Sequence, residues 1–472
     1  MTPEEFRKYA RDLVDWMAGY MENVENYPVK SRVKPGEIFK NLPDSPPSSP
    51  EPFESFMKDF EEIIMPGITH WQNPNFYAYF PANSSPPSVL AEMLTATLGA
   101  QCMIWETSPA AAELEEKMMI WLRDLIGLPG NFEGVIQDSA STATLAAILT
   151  AREKASAFSF NENGASGNPA LRVYCSDHTH SSVEKAVRIA GIGRVNLVKV
   201  PVDENLSIIP AKLDEAITSD KERGYLPCCV IASLGTTGTM AVDPVKAIGK
   251  ICTRHGVWLH VDAAMAGTAL VLPEYQWMLE GKEYIDSFVF NPHKWMFTNF
   301  DCTAFFTRDP ETLIRTFEIL PEYLKTRTRG QVNDYRDWGV PLGRRFRALK
   351  LWSVIRSYGV EGLREKIRYH ISLASDLAVT IAREPDFEIL APVIFNLVCF
   401  RYRPEGKTEE ELNIINEKLI HRLNDSGKIY LSHTMIGGKY TLRMVIAQTN
   451  VTSTHVEGAW RLIREYSDKT EA

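Results

Sequence analysis

Residues 257–264, Val-Trp-Leu-His-Val-Asp-Ala-Ala, and residues 287–295, Ser-Phe-Val-Phe-Asn-Pro-His-Lys-Trp, decide how this chain is read. Each opens as a short apolar run and stops abruptly at polar or small residues, the pattern of a strand buried on both faces. Working outward, Arg172–Cys175, Cys229–Leu234 and Cys302–Phe306 repeat it. The amphipathic stretches Ala110–Leu125, Thr142–Lys154 and Pro244–His255 lie between or before these runs. Strands alternating with helices predict a largely parallel sheet with helices on both faces.

The ends of the chain read differently. Thr2, Pro3 and Glu5 form a capping signature, and Phe6, Tyr9, Leu13, Met17 and Tyr20 then recur at helical spacing. That apolar stripe needs a surface to lie against. Leu42–Pro52, with five prolines and three serines, reads as an extended connector, and Ser156–Pro169 as a surface loop. Lys325–Arg336 is polar and without apolar periodicity, the profile of a mobile segment. A long helix is expected from Gly343 to Tyr358. Beyond it come strands at Phe395–Tyr402, Lys428–Ser432 and Tyr440–Ala447 and helices at Glu409–Leu423 and Thr454–Tyr466. The expected division is an N-terminal helical segment (1–84), a large α/β domain (85–362) and a small C-terminal α+β domain (363–472).

Composition narrows the functional classes. With 472 residues, 44% hydrophobic and 24% charged, the chain can bury a large core. Sixty acidic against 51 basic residues give a net charge of -9, which disfavours nucleic acid as the main partner. No apolar run reaches the roughly 18 residues of a membrane span. Seven cysteines without a C-x-x-C pair argue against a disulfide framework or zinc site and fit a reducing, cytoplasmic setting.

Open α/β sheets bind ligands at the carboxyl ends of their strands. There the sequence delivers Asp262 with Ala263 and Ala264; Asn291, His293 and Lys294; His178 and His180; and the Gly235–Thr239 turn. Asp138–Thr142 adds small hydroxyl residues at a helix start, which suit a phosphate. Singly, each is ordinary: a strand-end turn, a surface lysine, a helix cap. The two histidines have no further ligand cluster, so no metal is expected. Taken together in this order, the groups match one chemistry. A lysine forms a Schiff base with an aldehyde cofactor, a carboxylate pairs with its pyridine nitrogen, a flat side chain stacks on the ring, and a cradle holds its phosphate. Pyridoxal 5'-phosphate meets each requirement.

His260-Val261-Asp262-Ala263-Ala264 followed by Asn291-Pro292-His293-Lys294-Trp295 resembles the group II pyridoxal-phosphate decarboxylases. Pro341–Arg347 and Ile64–Trp71 narrow the resemblance to the aromatic-L-amino-acid decarboxylases, from Phe6 to Trp460. The resemblance implies a fold-type I architecture with a mostly parallel seven-stranded sheet, and an obligate homodimer whose N-terminal helices wrap the partner. It implies that Lys294 carries the cofactor, that Asp262 pairs with the pyridine nitrogen, and that Ala264 leaves room beneath the ring. His180 would stack on the other face near the substrate carboxylate. Ser139, Ala140, Ser141 and Asn291 would hold the phosphate, with His293 and Thr237 close to the reacting centre. Trp71, Tyr79, Phe80 and Pro81 match the substrate lining, and Met103, Leu342 and Gly343 would lie near the other subunit's site, with Gly343 also beside the cofactor. Without the resemblance, the aromatic cluster reads as ordinary core.

Tyr323 matches the tyrosine of the family's catalytic loop and would return a proton to Cα. Relatives with phenylalanine there make aldehydes oxidatively, so tyrosine favours simple decarboxylation of aromatic amino acids to arylalkylamines and carbon dioxide. An aldehyde synthase and a histidine decarboxylase of the same fold are the alternatives. The chain departs from the family at three positions. Met265 stands for a usual tyrosine and Asp138 for a common glycine. Ala82 replaces a threonine able to reach a catechol oxygen. Asp138 is expected to point away from the phosphate. Gly343, where histidine- and phenol-directed relatives tend to carry serine, leans the reading toward tryptophan and phenylalanine-type substrates.

Overall fold

The computed structural model describes residues 1–319 and 330–469. Seven strands, β1 (Glu133–Gln137), β2 (Leu171–Ser176), β3 (Leu197–Val200), β4 (Leu226–Ser233), β5 (Trp258–Asp262), β6 (Ser287–Phe290) and β7 (Thr303–Thr307), form one sheet. Its order is β1-β7-β6-β5-β4-β2-β3. β7 runs antiparallel to both neighbours, while the β6-β5-β4-β2-β3 pairings are all parallel. The expected fold class is therefore the observed one. β1 and β3 escaped the sequence reading because each mixes polar with apolar residues over five positions or fewer.

The sheet lies in a compact unit made of Ala82–Ser372 and Ala391–Leu397. Its core forms where Val173, Ile231, Val289 and Phe305 meet Ala143, Ala147 and Ile148 of the helix Ala140–Ala155. Fully burying a side chain such as Ile231 stabilises by about 1.5–3 kcal/mol. Several polar groups inside the unit are paired across its strands. The His260 Nδ1 lies 2.8 Å from the Ser287 hydroxyl, which also accepts the Trp258 indole N–H at 2.8 Å. Asp243 accepts the backbone N–H groups of Ser233 (2.7 Å) and Ile208 (2.8 Å), and burial pushes its pKa up to about 6.

A second unit gathers Met1–Pro81, Leu373–Leu390 and Val398–Ala472. Its antiparallel sheet, order β10-β11-β9-β8, uses β8 (Phe387–Ile389), β9 (Leu397–Tyr402), β10 (Ser432–Ile436) and β11 (Lys439–Val445). The expected strand Lys428–Ser432 is corrected here. The Asn424 side chain bonds both backbone groups of Leu431, at 2.9 and 3.0 Å, and so takes the place of a ladder partner. Of Lys428–Leu431 only Tyr430 makes a bridge, to Phe76, and the strand β10 begins at Ser432. The N-terminal helix, Pro3–Asn23, begins with the Thr2–Glu5 capping box. Trp16 and Tyr9 pack edge-on or tilted against Phe60 and Phe53, yet no residue of the helix is buried, and Phe6 stays 59% exposed.

The long helix starts at Arg347, four residues later than expected, and runs to Ile381 with a break at Gly359, whose φ of +65° suits glycine. Its start is delayed because Arg344 is held in a non-helical segment. The Arg344 backbone N–H donates to Gln101 Oε1 (2.7 Å), and its carbonyl accepts the Cys102 N–H (3.0 Å). The Ser156–Pro169 loop carries one short helix, Ser159–Asn163.

Arg344 also forms a buried ion pair with Glu115 and donates to the Ile136 carbonyl at 3.1 Å. Removing one partner of such a pair strands a charge in the interior. Glu115→Ala is therefore expected to cost about 3–5 kcal/mol, read as an earlier chemical-denaturation midpoint. A midpoint equal to that of the parent would show that Arg344 finds other compensation.

Candidate active site

Register sets the site. β4, β5 and β6 pair so that Ser233 lies opposite Asp262 and Asp262 opposite Val289, bringing three carboxyl ends to one level. Asp262 closes β5, its backbone carbonyl accepting the Leu234 N–H and one side-chain oxygen accepting the Ala264 N–H at 3.0 Å. That second bond aims the carboxylate and brings the small Ala264 beside it.

β6 then runs into the four-residue helix Pro292–Trp295, which carries Lys294. The Asn291 N–H donates to the Ala264 carbonyl and the Lys294 N–H to the Asn291 carbonyl, tying this turn to the Asp262 turn. Burial lowers the Lys294 pKa to about 8, and the Asp262 carboxylate resists that shift. An ordinary lysine titrates near 10.4, so the buried amine is neutral far more often near pH 7. A neutral amine is the nucleophilic form.

The flanking strands supply the rest. β1 pairs with β7 so that Gln137 faces Thr303, and Thr303 donates its hydroxyl to Asn291 Oδ1 at 2.9 Å. This bond occupies the Asn291 side-chain carbonyl oxygen and so identifies the side-chain NH2 as its donor. Ser139 caps the helix Ala140–Ala155, accepting the Thr142 N–H at 3.2 Å, so Ser139, Ala140 and Ser141 form a turn of hydroxyl and amide donors at a positive helix end. Asp138 Oδ1 is buried there without a hydrogen-bond partner.

After β4, Thr237 lies half-buried in a turn closed by the Gly235 and Thr236 N–H groups on the Ala241 carbonyl. Gly235 (φ +84°) is required there, since a Cβ would sit 2.6 Å from the Ala266 methyl. After β2, His180 accepts the Ser182 N–H on Nδ1 at 3.2 Å, so a neutral ring carries its proton on Nε2. His180 is exposed by surface area. Desolvation nevertheless lowers its pKa, with Asp262 opposing and Lys294 assisting.

His293 is buried, and desolvation first, then the neighbouring Lys294 charge, pushes its pKa down to about 3. Met103, Leu342 and Gly343 lie in the same unit, on two segments joined by the Arg336 N–H to Met103 carbonyl bond and the Gln101–Arg344 bond. Trp71, Tyr79, Phe80 and Pro81 belong to the other unit. There Trp71 stacks on Tyr79 at 6.0 Å, and Tyr79 meets Tyr430 edge-on at 5.9 Å. Tyr323 lies outside the described residues.

Sequence reasoning missed Asn83, which donates its N–H to the His293 carbonyl (3.1 Å) and its side-chain N–H to the Lys294 carbonyl (2.8 Å). No sequence signal pointed to Asn83, which stands between Pro81 and the helix Pro86–Leu98.

A carboxylate, a depressed-pKa amine, a flat ring and a donor-rich helix start thus share one strand edge. The pyridoxal-dependent decarboxylase conserved domain matches residues 35–403. The chain belongs to the pyridoxal-dependent decarboxylases. Among similar proteins, the phenylacetaldehyde synthase of Arabidopsis thaliana is 44% identical, over 98% of this chain and 96% of that one. Tyrosine decarboxylase 4 of Petroselinum crispum is 41% identical, over 99% and 94%. The crystal structure of Catharanthus roseus tryptophan decarboxylase in complex with L-tryptophan superposes with a TM-score of 0.94, at 38% identity over 100% of this chain and 99% of that one.

The cofactor of this decarboxylase is pyridoxal phosphate, and the donor set fits it: hydroxyl and amide donors at one end, an amine and a carboxylate at the other. The orphaned Asp138 oxygen is the one group whose fit the structure does not explain. If Lys294 is the capturing amine, the rate at which cofactor-free decarboxylase takes up pyridoxal phosphate rises with pH as the amine loses its proton, with a midpoint near 8. A midpoint at the ordinary lysine value of about 10.4 would contradict the burial of Lys294.

Proposed function

We propose that this decarboxylase converts aromatic L-amino acids, of the tryptophan, phenylalanine and tyrosine type, to arylalkylamines and carbon dioxide. The observation that carries the reading is the Lys294–Asp262 pair at the sheet edge, in a chain whose similar proteins are named for tyrosine, tryptophan and phenylacetaldehyde. When bound, pyridoxal phosphate supplies an aldehyde that condenses with amines and a ring that accepts the electron pair of the bond breaking at Cα.

The chain's own groups then divide the work. Lys294 holds the cofactor between turnovers and gives way to the substrate amine. Asp262 keeps the pyridine nitrogen protonated, and Ala264 leaves the ring face clear. His180, with its Nε2–H available, would meet the cofactor ring and the substrate carboxylate. Ser139, Ala140, Ser141 and Asn291 bind the cofactor's phosphate, His293 and Thr237 lie close to the reacting centre, and Gly343 borders the cofactor. Trp71, Tyr79, Phe80 and Pro81 receive the aromatic side chain, while Met103, Leu342 and Gly343 serve the other subunit's site. Tyr323 returns a proton to Cα.

The active unit in this reading is a homodimer with its sites at the subunit interface. The exposed Phe6 and Val14 on the Pro3–Asn23 helix, 59% and 41% accessible, support a covering partner. A cytoplasmic setting is supported by seven free, buried cysteines.

A second reading, an oxidative aromatic aldehyde synthase, is favoured by the 44% identity to the phenylacetaldehyde synthase. Product analysis with tryptophan, phenylalanine, tyrosine, dopa and histidine separates the two. The expected product is amine in equal amount to carbon dioxide without hydrogen peroxide, and Tyr323→Phe shifts it toward aldehyde and peroxide. Aldehyde and peroxide from the parent enzyme would establish the synthase, and release of histamine alone would establish a histidine enzyme.

A further inference from the structure

Behind the lysine segment sits a cluster of charges that the reaction itself does not use. The turn Asn299–Cys302 is gripped from two sides. From the helix Pro86–Leu98, Ser88 Oγ accepts the Asn299 N–H at 2.7 Å and Glu92 Oε2 accepts its side-chain amide at 3.5 Å. From the start of the helix Arg347–Ile381, Arg347 donates to Asp301 at 2.9 Å, and Arg345 pairs with Glu92 and reaches within 3.9 Å of Asp301. Lys350 completes the cluster. Its side chain has 0% exposure, and its Nζ lies 3.0 Å from Glu92 Oε2, although off the line of a hydrogen bond.

Three cations thus face two carboxylates around this turn, Lys350 fully buried, Arg347 mostly so and Arg345 half-exposed. A lysine is rarely buried so completely, and a buried ion pair is weak evidence for stability when an apolar residue of the same shape would serve. The excess positive charge therefore calls for another role, and the gripped turn shows where it acts. Cys302 exchanges two bonds with His293: its N–H donates to His293 Nδ1 at 2.9 Å, and its carbonyl accepts the His293 N–H at 3.2 Å. A backbone N–H can only donate, so Nδ1 is bare and a neutral ring holds its proton on Nε2.

We propose that Lys350 is a positioning residue for His293, locking the Asn299–Cys302 turn onto Nδ1 and holding the ring neutral so that Nε2–H remains a donor toward the cofactor site. The proposal rests on the reading of His293 as a cofactor-side group. The charged groups that bear on the ring are Lys294, Asp301 and Lys350. Lys294 and Lys350 oppose its protonation and Asp301 favours it, while burial opposes it most strongly. Glu92, Arg345 and Arg347 act on it through Lys350 and Asp301. Removing the Lys350 charge and releasing the turn both raise the proton affinity of the ring.

The test is nitrogen NMR of histidine-labelled, cofactor-free full-length protein, with the His293 signal assigned by its loss in His293→Gln. The parent is expected to show a fixed Nε2–H tautomer that does not titrate above about pH 5. Lys350→Met is expected to bring that titration above about pH 5 and to weaken pyridoxal phosphate binding about fivefold or more. Lys350→Arg, which keeps the charge, is expected to behave as the parent. If Lys350→Met does not fold, Glu92→Gln, which removes the lysine's anchor, is expected to mix the two tautomers. An unchanged tautomer and titration in the folded variant would overturn the proposal whatever happens to the melting temperature, as would an equal shift in Lys350→Arg. Failure of the parent to bind pyridoxal phosphate would instead refute the functional reading and leave the tautomer result standing.

Discussion

Taking the Lys294 amine out of water beside the Asp262 carboxylate is the constraint on which the rest of the site depends. Desolvation disfavours an ammonium and the neighbouring carboxylate favours it; here burial wins, and the amine settles at about 8. The balance requires both groups at one depth in the sheet. That depth comes from the parallel register of β4, β5 and β6, whose ends are joined by the Leu234–Asp262 and Asn291–Ala264 backbone bonds. A one-residue slip in β5 would turn Asp262 to the opposite face of the sheet.

Much of this could be read from the chain because parallel strands buried on both faces are continuous apolar runs. β5 and β6 announce themselves, and the polar residues that end them are the site. Asn291 and His180 followed from the same rule about carboxyl ends, and Ser139 from the small hydroxyl residues that open a helix. Other features depended on partners distant in sequence. The helix start at Arg347 moved because Gln101, 243 positions from Arg344, captures its backbone. Lys428–Ser432 has the look of a strand, yet Asn424 satisfies the Leu431 backbone with a side-chain amide. Asn83 and Lys350 show nothing in sequence, since a buried polar residue reads as a linker or surface group until its partners are seen.

The supporting layer also explains why the site can be rigid with few direct bonds to its reactive atoms. Asn83 fixes the Lys294 carbonyl, Thr303 the Asn291 side-chain oxygen and Cys302 the His293 ring nitrogen, so each working group is held by a partner of its own. Preorganised donors of this kind need no rearrangement as charge develops in a reaction.

The most direct test of the account is reduction of the pyridoxal phosphate-loaded enzyme with borohydride, which converts a Schiff base to a stable secondary amine, followed by peptide mass spectrometry. The account predicts one reduced cofactor per chain, on the peptide containing Lys294. A label on any other lysine, or none, would contradict it.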